Sequence, residues 1–181
     1  TPSPRPVELK QEKVAGREAW VLDNGLFRIA ALRGGGHLAE VRLVSEDPRK
    51  SLNPMRIPHY PTIDPHTYDP ARHDAHYGND PHRWLSSGYM GHLLCFPVYG
   101  PPSPDEARAG LGNHGEAPIV EWRLISTDRK PDSISLRYGA DLIKTQFRVE
   151  RTITLRSGDR FARVEEEVEN LANFDRPVNW M

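Results

Sequence analysis

Hydrophobic and polar residues alternate with period two through much of the chain. Phe147, Val149, Ile153 and Leu155 share one parity, and Gln146, Arg148, Glu150, Thr152 and Thr154 share the other. Ile134, Leu136 and Tyr138 alternate with Ser133, Ser135 and Arg137, and Val120, Trp122 and Leu124 alternate with Glu121 and Arg123. This pattern predicts antiparallel strands with one packed face and one wet face. Turn residues at 130–133 and 157–159 separate them. Earlier in the chain, Phe27, Ile29 and Ala31 are followed by Arg33-Gly34-Gly35-Gly36 and a period-two run over Leu38–Leu43, which predicts a hairpin. Residues 165–170 and 176–180 predict another. Its second strand reaches Met181 incomplete, so the chain is expected to be the N-terminal portion of a longer sheet protein with an exposed sheet edge. Only 104–109 reads as helix. The expectation is one all-β sandwich domain over 1–181.

From 45 to 91 the alternation lapses. Asn53-Pro54, Asp64-Pro65, Asp69-Pro70 and Asp80-Pro81 punctuate the stretch, and a residue before proline is pushed out of the helical region. A long irregular loop is predicted, ordered by Tyr60, Tyr68, Tyr77 and Trp84.

Hydrophobic residues make up 37% of the chain and charged residues 27%, which suits a globular domain, and the net charge is −1 with Lys and Arg scattered. That distribution argues against nucleic acid or an anionic membrane as partner. No apolar run approaches the roughly 18 residues of a membrane helix, and no apolar signal segment opens the chain. The first residue is Thr1, so the native N-terminus is expected to be missing, and the compartment stays open. One cysteine, Cys95, excludes an internal disulfide and any multi-cysteine metal site.

Two segments carry candidate chemistry. In Gly110-Leu111-Gly112-Asn113-His114-Gly115-Glu116-Ala117, glycines flank a histidine that can move protons near neutrality. The alternative is a turn histidine satisfied by a backbone group. The run 91–102 reads as an apolar strand ending in a proline-glycine corner. Within it Cys95 is expected to be an inert core thiol, and His92 to be either hydrogen-bonded in the core or directed into a cleft.

Cys95-Phe96-Pro97-Val98-Tyr99-Gly100, then His114-Gly115-Glu116-Ala117, then Trp122, resembles the CFPWFG, HGFAR and W pattern of hexose-6-phosphate mutarotase-like proteins. More loosely it is similar to the aldose 1-epimerase (galactose mutarotase-like) superfamily. Asn24-Gly25-Leu26, the 34–38 glycine turn and Val168-Glu169-Asn170 fit the same order, so the resemblance runs from Asp23 to Met181. It implies a β-supersandwich, present here as an incomplete N-terminal portion. It also implies a site for a hexose or related monosaccharide on the concave face, and acid–base interconversion of anomers with no metal or cofactor. By the resemblance His114 is catalytic, while a second histidine and a glutamate base are expected in a C-terminal half beyond Met181. His92, Glu116, Tyr77, Trp84 and Tyr99 are expected to bind the sugar. Tyr89 or Met90 stands where the phosphosugar group has arginine, and His92 and Cys95 stand where the galactose group has arginine and asparagine, which weakens both specificities. Glu116 either orients the His114 ring or is a solvated turn residue.

Two other readings compete. One is a non-catalytic carbohydrate-binding domain on the same fold. The other is a metal-dependent β-sandwich enzyme using His73-Asp74-Ala75-His76 and the other histidines of the loop. Glu166 shares parity with Ala162, Val164 and Val168, which places it on the inward face.

Overall fold

The computed structural model describes residues 3–80 and 82–181. Two four-stranded antiparallel sheets pack face to face. The first is formed in order by β1 (Glu8–Val14), β2 (Arg17–Asp23), β3 (Phe27–Leu32) and β4 (Leu38–Leu43). The second is formed by β5 (Arg123–Lys130), β6 (Ser133–Leu142), β7 (Phe147–Arg156) and β8 (Ala162–Asn170). Inward residues of both sheets make one core, with Trp20, Leu22 and Ile29 against Leu136, Tyr138 and Ile153. β7 alternates buried and half-buried positions along its length, as its sequence predicts. Arg151 sits on its buried parity, and Glu166 is its register partner on β8.

The sheets differ on their outer faces. β5 is exposed throughout. β2 is buried on both sides, because Ala19 and Val21 join Ala30, Leu32 and Ala39 beneath Met90 of the long excursion. Arg17 fastens that excursion to the sheet: Nε donates to Asp64 Oδ1 at 2.8 Å, Nη1 to Gly88 O at 2.5 Å and Nη2 to Gly34 O at 2.8 Å.

The 45–91 stretch is not wholly irregular. It holds α1 (Pro70–Tyr77) and α2 (Arg83–Gly88), with single 3₁₀ turns at Pro48–Lys50 and Pro65–Thr67. Asp-Pro pairs start most of these turns. Asp69 has extended backbone, as a residue before proline should, and its carboxylate accepts from Ala71 N–H while Pro70 takes the first helical position. Pro81 of the fourth pair lies outside the described residues. α3 (Pro104–Arg108) falls where expected, opened by a reciprocal capping box between Ser103 and Glu106.

Three strand expectations are corrected. Residues 120–122 precede β5 as a non-strand segment, with only Glu121 bridging to Gly34. The 91–102 run is no regular strand: Gly91 and Gly100 have positive φ, and only isolated bridges form at His92 and Phe96. The 176–180 segment does not pair with β8. It runs beside 95–97, where Asn179 N–H donates to Pro97 O at 2.9 Å and Cys95 N–H to Met181 O at 2.8 Å.

Candidate functional site

Where the 91–100 run meets α2 and the loop before β5, a cavity of about 780 Å³ opens. His92, Cys95, Tyr99 and His114 line it, with Arg56 and Tyr60 opposite from the long excursion. Its size fits a small-molecule site.

His114 is the most constrained group in it. Its φ is +65°, a left-handed conformation that side chains rarely adopt outside functional or tightly determined positions. Gly115 follows at φ +85° with its backbone against Phe96 O, a place where any Cβ would collide. Glycine at 115 is therefore a requirement of the turn, and His114 is held beside it at a positive φ. His114 N–H donates to Gly100 O at 2.8 Å, and Gly100 N–H donates back to the ring Nδ1 at 3.2 Å. An amide N–H only donates, so Nδ1 carries no hydrogen, and the neutral ring holds its proton on Nε2. Cys95 Sγ lies 3.4 Å from the same Nδ1. Burial, then His82, lowers the His114 pKa, and burial raises that of Cys95, so a neutral imidazole stands beside a thiol. The Tyr99 ring lies 5.3 Å from the imidazole, tilted.

His92 is exposed to the cavity. Burial of its surroundings and then the charge of Arg151 lower its pKa, against a smaller upward pull from Glu166. His92 and Met55 also line a neighbouring cavity walled by Leu38, Val41, Val164, Glu166 and Trp180.

The other expected binders lie elsewhere. Glu116 is buried behind the turn: its carboxylate accepts Lys144 N–H at 3.0 Å, Thr145 N–H at 2.9 Å and the Thr145 hydroxyl at 2.8 Å. Trp84 is half-buried under the Arg83 guanidinium, 4.5 Å from its ring centre. Tyr77 walls a separate cavity next to the first. The loop histidines do not converge: among the described residues no group of three potential metal ligands comes together, and His73 Nδ1 is occupied as an acceptor from Asp69 N–H.

Solved structures share this architecture. The "putative mutarotase" YeaD from Salmonella typhimurium superposes with a TM-score of 0.57 at 15% identity, over 91% of this chain and 50% of its own. The fold is a mutarotase-like β-sandwich. HI1317 matches with a TM-score of 0.48 at 11% identity, over 84% of this chain and 48% of its own. Slr1438 from Synechocystis sp. PCC 6803 matches at 0.47 and 17% identity, over 96% and 51%. The chain thus spans about half the length of each. No protein-family model and no curated protein matches the sequence.

Sequence reasoning did not single out Arg56 and Tyr60 as lining the cavity from the excursion, nor Arg151, whose charge lowers the His92 pKa. Arg151 had a readable signal, because it occupies the core parity of β7 between Val149 and Ile153.

Proposed function

We propose that the cavity around His114 binds a reducing sugar and that the chain takes part in interconverting its anomers. The supporting observation is the fixed His114 tautomer. With Nδ1 held by Gly100 N–H, Nε2–H is the ring's remaining polar group, suited to donating to a sugar oxygen. In anomer exchange a base removes the proton of the C1 hydroxyl, C1 becomes a carbonyl as the bond from C1 to the ring oxygen breaks, and an acid protonates that oxygen. Rotation about the bond from C1 to C2 and reversal give the other anomer. A neutral Nε2–H imidazole fits the acid role or the polarising of the ring oxygen, and no carboxylate base is among the described residues lining the cavity.

A non-catalytic sugar-binding domain is the second reading, favoured by one observation: no Asp or Glu is among the described residues lining this cavity. Polarimetry of fresh α-D-glucose and α-D-galactose, with His114→Ala as control, tests both. Acceleration abolished by the substitution supports exchange. Sugar binding without acceleration selects the second reading.

A further inference from the structure

We infer that the cavity adjoining the His114 cavity is a subsite for a second sugar ring, so that the ligand is a reducing disaccharide. The inference rests on the sugar-binding reading above. Tyr60 and Ser86 belong to the walls of both cavities, so the second, of about 480 Å³, adjoins the first. Tyr60, Pro61, Tyr77, His76 and Ser86 line it, with no Asp, Glu, Lys or Arg among them. The Tyr60 and Tyr77 rings stand 6.3 Å apart between centres at 57°.

Both rings are pinned at their polar tips. Tyr77 Oη–H donates to Pro61 O at 2.7 Å and Tyr60 Oη–H to Ser86 O at 3.0 Å. Each therefore presents ring carbon to the cavity in a fixed pose, which reduces the entropy lost on binding. A pyranose has an apolar C–H face and a rim of hydroxyls. Rigid aromatic walls with the His76 imidazole and Ser86 among them match that amphipathic shape, and a lining without carboxylate, lysine or arginine suits a neutral ligand. Anomer exchange needs a free C1 hydroxyl only on the ring beside His114. The second ring keeps its glycosidic bond and contributes binding energy alone.

Calorimetry and saturation-transfer NMR with glucose, maltose and cellobiose, on the whole chain, test the assignment. At least one disaccharide should bind about tenfold more tightly than glucose, with saturation on protons of its non-reducing ring. Tyr77→Ala should bring the disaccharide-to-glucose ratio close to one, and Tyr77→Phe, which keeps the ring face, should retain most of it. Glucose binding that needs His114 but is unmatched by a disaccharide gain overturns the second subsite and leaves the first reading standing. So does a gain indifferent to Tyr77→Ala, or one lost equally in Tyr77→Phe, since the loop bond to Pro61 would then be its source. Binding of no sugar overturns both.

Discussion

Arg151 and Glu166 face each other across β7 and β8 as register partners, and Arg151 Nε–H donates to Glu166 Oε1 at 2.7 Å. The arginine is only 1% exposed. Burial opposes its charge, but Tyr138 and Glu166 outweigh that and raise its pKa. Nη1 also donates to Gly36 O at 2.5 Å and Tyr138 Oη at 2.9 Å, while the guanidinium lies 5.2 Å from the Trp122 ring centre. One cation thus joins the 34–38 turn, the core aromatics and the edge strand.

A buried charge deprived of its partner is costly. Glu166→Gln leaves Arg151 charged in the core, and Arg151→Met leaves Gly36 O and Tyr138 Oη without their donor. Each single change is expected to lower urea-unfolding stability by about 3 kcal/mol. The double change should cost less than the sum of the singles by about 1–3 kcal/mol. Strict additivity in the cycle would mean the pair does not act as a unit.

The sandwich was legible where one face packs and the other is wet. β6 and β7 follow this rule and were readable from alternation alone. β2 was not, because Ala19-Trp20-Val21-Leu22 is buried on both faces and so has no polar parity. β1 was hidden by the charges of its half-exposed edge position. α1 and α2 are short, and α1 buries no side chain, so no apolar stripe announces them. Their start signal was present as Asp69-Pro70, in which the proline that bars Asp69 from helix opens the helix itself. The His114 turn could be seen in its glycines. The cavity could not, since it depends on Arg17 drawing a distant excursion onto the sheet.

Glu116 serves the turn between β6 and β7. Glu116→Ala would strand the Lys144 and Thr145 amides and the Thr145 hydroxyl, and a loss of about 3 kcal/mol is expected in thermal or urea unfolding. Sugar affinity of the folded protein should change less than about twofold, a shift below about 0.4 kcal/mol. A collapse of affinity at unchanged stability would instead place the carboxylate in binding.

His37 makes the fold acid-sensitive. Complete burial, then the charges of Arg17 and Arg151, push its pKa down to about 3, although Nε2 donates to Pro118 O at 2.9 Å. Between pH 6.5 and about 3 the unfolded chain binds a proton that the native state refuses. Stability therefore falls with falling pH across that window, by up to about 1.4 kcal/mol per pH unit from this group. His37→Gln keeps a donor for Pro118 O and removes the titration. Unfolding free energies measured at several pH values should show a shallower acid slope in the variant, and an unchanged slope would assign the sensitivity elsewhere.

His114 contributes a pH dependence to ligand binding under the same sign rule. Its pKa lies below the ordinary 6.5, chiefly through burial and then through His82, so the neutral Nε2–H form persists as pH drops through 6.5. Protonation at lower pH puts a hydrogen on Nδ1, facing Gly100 N–H at 3.2 Å, and the two donors must separate. The turn that holds the ring would loosen at the same time as the ring changes charge. Sugar affinity, followed by calorimetry, is therefore expected to be flat from pH 8 to about 6.5 and to fall below it. His82→Gln removes one neighbouring charge that opposes protonation, so the fall should begin at a higher pH in that variant. A midpoint at or above 6.5 in the unmodified protein would contradict the lowered pKa. A midpoint that does not move in His82→Gln would remove His82 as a cause.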